Sequence, residues 1–77
     1  NPNALKTYQA ATISLESQNE AFKNAQERYN YGSMTLFDFD LVRTRLVTAQ
    51  ATLIRSKYDY VFKTKVLQFY AGELVLN

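Results

Sequence analysis

A single break separates two long segments in which apolar residues recur with the spacing of coiled-coil helices. The break lies at Gly32, one of only two glycines among the 77 residues. Glycine adopts positive φ without the steric penalty that a Cβ atom brings, so Gly32 predicts the end of a helix. The turn is expected at residues 32–34, and so short a connection favours an antiparallel hairpin. The expected fold is therefore all-α, one long antiparallel coiled-coil hairpin that spans residues 1–77.

The first segment predicts a helix over about residues 4–31. Asn1, Pro2 and Asn3 precede it, and Asn is a favoured N-cap while Pro is tolerated in a first helical turn. Positions at alternating spacings of four and three then follow: Ala4, Tyr8, Ala11, Leu15, Gln18, Phe22, Ala25 and Tyr29. This period is that of the apolar seam of a left-handed coiled coil, and only Gln18 places a polar group in it.

The second segment predicts a helix over about residues 35–71. Thr35 is the expected N-cap, because its hydroxyl can accept a hydrogen bond from the backbone N–H of Asp38. The Asp38 carboxylate also lies near the positive end of the helix dipole. Met34 and Phe39 occupy the positions of a hydrophobic staple across this cap. Gly72 is expected to end the helix, which leaves residues 72–77 as a short tail that enters a strand or frays.

The second helix carries two apolar lines. The first continues the alternation of three and four through Phe39, Val42, Leu46, Ala49, Leu53, Ser56, Tyr60, Lys63, Leu67 and Tyr70. The second consists of Val47, Ile54 and Val61, seven residues apart, with Tyr58 nearby. One partner helix cannot cover both lines. We therefore expect the isolated chain to self-associate as a dimer or a higher assembly.

Composition argues against several classes of function. The net charge of +2 is weak and dispersed, unlike the clustered basic footprint of a nucleic-acid-binding protein. The chain has no histidine or cysteine, and its close carboxylates, Asp38 and Asp40, do not form a convergent set of ligands. We expect no catalysis, no cofactor and no metal site. No apolar run is long enough for a membrane-spanning helix, and Asn1-Pro2-Asn3 does not resemble an export signal.

Four short motifs in this sequence resemble the last helical hairpin of the TolC family of outer-membrane efflux ducts. They are Tyr29-x-x-Gly32-x-x-Thr35-x-x-Asp38, Leu46-x-x-Ala49, Lys57-Tyr58-Asp59-Tyr60 and Ala71-Gly72-x-Leu74. The resemblance implies a fragment of a trimeric protein in the cell outer membrane, whose periplasmic tube is an α-barrel of paired helices. This hairpin would form the periplasmic tip of that tube, for efflux or type I secretion. The implied partners are a periplasmic adaptor protein and an inner-membrane pump.

The resemblance also assigns roles to particular residues. The adaptor-docking turn would consist of Tyr31, Gly32, Ser33, Met34 and Thr35, and the channel entrance of Asp38 and Tyr29. This chain has Tyr31 where the family often has a small aliphatic residue, and Met34 where it sometimes has a basic one. Leu41 stands where the best-known member has a second entrance carboxylate.

Alternative interpretations accompany two of these roles and the function of the chain as a whole. Asp38 is also explained as a first-turn carboxylate that serves the helix cap, and Gly32 as a plain helix stop. The chain as a whole is also explained as a free-standing coiled-coil hairpin, an interaction or scaffold module that self-associates into a helical bundle. An amphipathic helix on a membrane surface fits poorly, because Phe37 and Phe39 point to nearly opposite sides of one helix.

Overall fold

The computed structural model is a helical hairpin, as the sequence predicts. It describes residues 2–76, and side chains over residues 3–75. Helix α1 spans Pro2–Asn30 and helix α2 spans Leu36–Leu76. The two helices run antiparallel and form a rod with extents of 68 × 15 × 14 Å. Asn1 and Asn77, named in the predicted cap and tail, lie outside the described residues.

The buried side chains of α1 confirm its predicted seam. Among residues 3–30, the buried or half-buried side chains all belong to that set: Ala4, Tyr8, Ala11, Leu15, Gln18, Phe22 and Ala25. Tyr29, the last member, is 38% exposed at the end of the helix. Buried alanines, Ala4, Ala11 and Ala25, stand between larger side chains along this line, so α2 can approach the α1 backbone closely at these positions.

The facing line of α2 is also confirmed up to Lys63. Its buried or half-buried members are Phe39, Val42, Leu46, Ala49, Leu53, Ser56, Tyr60 and Lys63. The buried Ser56 hydroxyl donates a hydrogen bond to the Leu53 carbonyl oxygen at 3.0 Å, which satisfies this polar group inside the contact. These residues of α2 and the seam residues of α1 are called the inner seam below.

Aromatic contacts fix the register of the two helices. The rings of Tyr8 and Tyr60 lie 5.9 Å apart between centroids, far from the turn. Close to the turn, Phe39 contacts both Phe22, at 5.6 Å, and Tyr29, at 4.9 Å in a stacked arrangement. The residue numbers of the Tyr8–Tyr60 and Tyr29–Phe39 pairs add to the same value, as a single antiparallel register requires. Contacts at both ends therefore stabilise one alignment.

Helix α2 extends beyond the end that the sequence predicts. It continues through Gly72 to Leu76, where a tail starting at residue 72 was expected. A glycine inside a helix costs only about 1 kcal/mol relative to alanine, and among the described residues only Gly32 has a positive φ. Glu73 and Leu74, which follow, are good helix formers. Gly72 therefore lies within the helix and does not end it.

The seam positions near the end of α2 are exposed among the described residues. Helix α1 has 29 residues and α2 has 41. Leu67 and Tyr70 continue the predicted seam, yet they are 57% and 58% exposed, and in the register that pairs Tyr8 with Tyr60 no described residue of α1 lies opposite them. The prediction that these two residues pack in the seam is not met within the hairpin.

The two glycines provide a matched test of this fold. A Cβ atom at either position meets nothing within 4 Å, so substitution tests the backbone alone. Gly32→Ala is expected to destabilise the hairpin by about 1 to 2 kcal/mol, because alanine is strained at the φ of +78°. Gly72→Ala is expected to raise helix content, because alanine favours the helix by about 1 kcal/mol. Far-UV circular dichroism during thermal unfolding checks both predictions. Unfolding midpoints that shift in the same direction in the two variants would contradict the assignment of Gly32 to a helix stop and of Gly72 to a helix interior.

Candidate functional site

The turn at the closed end of the rod begins with a Schellman motif. The Ser33 N–H donates to the Arg28 carbonyl oxygen at 2.9 Å, and the Gly32 N–H donates to the Tyr29 carbonyl oxygen at 3.0 Å. Gly32 has a φ of 78°, the left-handed conformation that this motif needs at its C′ position. These bonds satisfy two carbonyl groups that a helix end leaves without partners. The predicted helix stop at Gly32 is confirmed, with α1 ending at Asn30.

Arg28 and Ser33 add side-chain bonds to the same turn. The Ser33 hydroxyl donates to the Arg28 carbonyl oxygen at 3.0 Å, and the Arg28 Nη2 donates to the Ser33 carbonyl oxygen at 3.4 Å. A hydrophobic contact between these two positions accompanies many Schellman motifs. Here polar groups occupy them, and both residues are exposed. Hydrogen bonds at the surface therefore hold the turn, without a hydrophobic contact between these two positions.

The start of α2 has the predicted cap. The Thr35 hydroxyl accepts a hydrogen bond from the Asp38 N–H at 3.1 Å, and the Thr35 carbonyl accepts from the Phe39 N–H at 2.9 Å. Met34 and Phe39, the expected hydrophobic staple, are both half-buried. The cap fixes the direction in which the chain enters α2, and with the Schellman motif it determines the conformation of the five linking residues.

Large apolar side chains are exposed around this turn. Tyr31 is 88% exposed, Phe37 is 78% exposed and Leu36 is 56% exposed. Tyr31 belongs to the turn predicted from sequence, whereas Leu36 and Phe37 were not assigned to a site. Both residues directly follow the N-cap at Thr35 and lie outside the inner seam. Their apolar character at positions that the partner helix does not cover is the sequence feature that could have identified them. The three residues, called the tip patch below, lie at the closed end of the rod.

The two predicted entrance residues differ in their surroundings. The Tyr29 ring stacks on Phe39 with an interplanar angle of 18°, so it takes part in packing between the helices. Asp38 is exposed in the first turn of α2. Asp40 is half-buried and pairs with Arg43 at 3.2 Å. Asp38 and Asp40 are separated by about 200° around the helix, so the structure does not bring the two carboxylates together.

The remaining surface features of the described residues are shallow. An open groove of about 320 Å³ runs along one side of the inner seam, between residues such as Ser14 and Gln18 of α1 and Thr48 and Thr52 of α2. Over residues 2–76 there is no group of three histidine, cysteine, aspartate or glutamate residues close enough to hold a metal ion. In the same range neither helix is both long and apolar enough to cross a membrane.

Comparison with known proteins does not assign the chain to a family. Protein-family models, curated proteins and solved structures give no match to it.

The cap at Thr35 allows a direct test of the turn geometry. Thr35→Ala is expected to destabilise the hairpin by about 1 kcal/mol, because the Asp38 N–H loses its acceptor. Thr35→Ser keeps the hydroxyl and is expected to stay close to the unsubstituted chain. Urea unfolding at one protein concentration measures both. Thr12→Ala is the control, since that exposed mid-helix hydroxyl only bonds the Tyr8 carbonyl oxygen and alanine is the better helix former. Equal stability of the two Thr35 variants contradicts the role of the cap.

Proposed function

We propose that this hairpin is the periplasmic tip and wall segment of a trimeric outer-membrane duct for efflux or type I secretion. Its turn, Tyr31–Thr35, docks a periplasmic adaptor protein that links the duct to an inner-membrane pump. The proposal rests on the resemblance of the sequence motifs to the TolC family. The structural observation that best supports it is the exposed tip patch beside a turn held by hydrogen bonds.

The geometry of the turn suits docking. The Schellman motif and the Thr35 cap hold the linking residues in one conformation, so binding of a partner costs little conformational entropy. Tyr31 and Phe37 present large aromatic surfaces that the hairpin does not use for its own packing. Exposed aromatic residues are enriched among the residues that dominate binding energy at protein interfaces.

The shape and surface of the rod suit a wall segment. A paired-helix rod of 68 Å matches the architecture of a tube built from parallel hairpins. Val47 and Ile54 are 56% and 57% exposed on the side of α2 away from α1, where a neighbouring hairpin would cover them. Asp38 and Tyr29 lie close to the turn and would border the entrance of such a tube.

Docking is tested in the full-length parent polypeptide by Tyr31→Ser. This change removes an exposed aromatic side chain that makes no packing contribution, and a central aromatic residue at an interface contributes about 2 kcal/mol or more. We expect weaker cross-linking to the adaptor and reduced export, with unchanged amounts of assembled trimer. Export assays and site-specific cross-linking at the turn are the measurements.

Ile13→Ser is the matched control, because Ile13 is 65% exposed but lies in the middle of α1, away from the tip. Adaptor cross-linking is expected to persist in this variant. Gly32→Pro provides a stronger perturbation, since proline excludes a φ of 78° and removes the N–H that bonds Tyr29. Normal export and adaptor cross-linking in both tip variants would refute the docking role.

A free-standing, self-associating hairpin is the second candidate function. The exposed line of Val47, Ile54 and Val61 favours it, because such a line needs cover from another chain whether or not a duct exists. The complete coding sequence of the parent polypeptide separates the two. An export signal, a second hairpin with a Gly turn and intervening strand segments favour the duct, and a reading frame that closes near these termini favours the module.

A further inference from the structure

Helix α2 carries a second coiled-coil seam on the side that faces away from α1. Its members alternate at spacings of four and three, and are called the outer seam here: Asp40, Thr44, Val47, Ala51, Ile54, Tyr58, Val61 and Lys65. Its centre lies roughly 150° around the helix from the inner seam, given a rotation of about 100° per residue. Its largest members stay open to solvent, with Ile54 57% exposed and Tyr58 68% exposed. The outer seam has the period of a helix-packing surface but has no partner in the hairpin.

The outward face of α1 is a poor partner for this seam. It carries mainly charged and polar side chains, namely Lys6, Gln9, Glu16, Glu20, Lys23 and Glu27, with Ile13 as its large apolar member. Packing the outer seam against that face would bury charges beside valine and isoleucine, which is unfavourable unless every charge is paired. The apolar surface that matches the outer seam in length and period is the outer seam of a second copy.

Antiparallel pairing of two outer seams brings complementary sizes together. In antiparallel coiled coils each core layer joins one position of the seam to the other position of the partner seam. With the two-fold axis beside Thr52, Ala51 lies opposite Ile54 of the second copy, and Thr44 lies opposite Val61. Val47 lies opposite Tyr58 in the layer between them. Ala51 is small beside Ile54 and Val47 is smaller than Tyr58, whereas Thr44 and Val61 are similar in size, and two-fold symmetry repeats each layer.

The same register also pairs opposite charges. It places Asp40 opposite Lys65 of the second copy, at each end of the apolar stretch. Asp40 is half-buried and already has Arg43 at 3.2 Å, so Lys65 would complete a small charge network. A parallel pair would instead place Asp40 beside Asp40 and Lys65 beside Lys65. Like charges in contact across an interface oppose association, so the charge pattern selects the antiparallel orientation.

The residues that flank the outer seam on either side are also compatible with this register. Leu41, which is 43% exposed, lies across from Phe62 of the second copy, which is 68% exposed. On the other edge Lys57 lies across from Gln50. Neither edge places two like charges together in this alignment, and the apolar contact widens where Leu41 and Phe62 meet.

We infer that this chain forms an antiparallel homodimer in which the outer seams of two α2 helices pack together, with Asp40 paired to Lys65 of the second copy. The contact is isologous, with one two-fold axis perpendicular to the rods. From Asp40 to Lys65 the overlap is about 39 Å at 1.5 Å per residue. The inference rests on self-association, the second candidate function, and does not depend on the duct.

Disulfide cross-linking tests the orientation, because the native chain has no cysteine. Two variant chains, Val47→Cys and Tyr58→Cys, are mixed in equal amounts and oxidised. Both positions are more than half exposed in the hairpin, so the substitutions leave the inner seam intact. We expect a disulfide-linked heterodimer in the mixture and at least about tenfold less of either homodimer. Identical positions would be about 16 Å apart in the antiparallel pair, beyond the roughly 7 Å between Cα atoms that a disulfide spans.

A mixture of Ile13→Cys and Tyr58→Cys chains is the control, and is expected to give no linked product above the level of random collision. Efficient linking of the Val47→Cys chain to itself would show parallel packing and overturn the inference, while self-association would stand. A mass of one chain for the unsubstituted protein at high concentration would overturn the inference and the second candidate function together.

Charge exchange tests the register independently, with sedimentation equilibrium as the measurement. Asp40→Lys or Lys65→Asp alone is expected to weaken dimerisation about tenfold, since each creates two like-charge contacts in the symmetric dimer. The chain carrying both changes is expected to recover the original dissociation constant. Glu20→Lys makes the same change of charge on the outward face of α1, off the outer seam, and is expected to have little effect. Failure of the double variant to recover affinity would overturn the register.

Discussion

The contact between α1 and α2 along the inner seam is the constraint on which the rest of this structure depends. Buried alanines, such as Ala11, Ala25 and Ala49, allow the two backbones to approach closely. Aromatic contacts near both ends, Tyr8 with Tyr60 and Tyr29 with Phe39, fix one register. Two helices form a single layer with no third element over residues 2–76, so the apolar area that they bury is small. Each helix therefore keeps much of its surface open to other molecules.

The register set by the inner seam determines the geometry of the turn and of the open end. Near Gly32, two backbone hydrogen bonds and the Thr35 cap join the helices through five residues and place the tip patch at the end of the rod. At the other end, no described residue of α1 lies opposite the last turns of α2 in this register.

The outer seam and the tip patch give the molecule two separate interaction surfaces. The tip patch involves Tyr31 and Phe37 and supports a docking role at the end of the rod. The outer seam lies along α2. The charges of Asp40 and Lys65 favour the antiparallel orientation of two paired chains and contribute to their affinity. Because no residue belongs to both, substitutions can affect one surface without altering the other.

The sequence by itself determined the features that depend on local chemistry. Heptad spacing predicts both faces of the inner seam, Gly32 predicts the helix stop, and the Thr35 hydroxyl predicts the cap, because each follows from residues within one or two helical turns. The tertiary structure decided what lies opposite each position. Leu67 and Tyr70 share the period of the inner seam but are exposed, and Gly72 remains helical where the sequence predicted an end. Periodicity specifies which side of a helix is apolar, whereas the contacts between the two helices decide which positions on that side are covered.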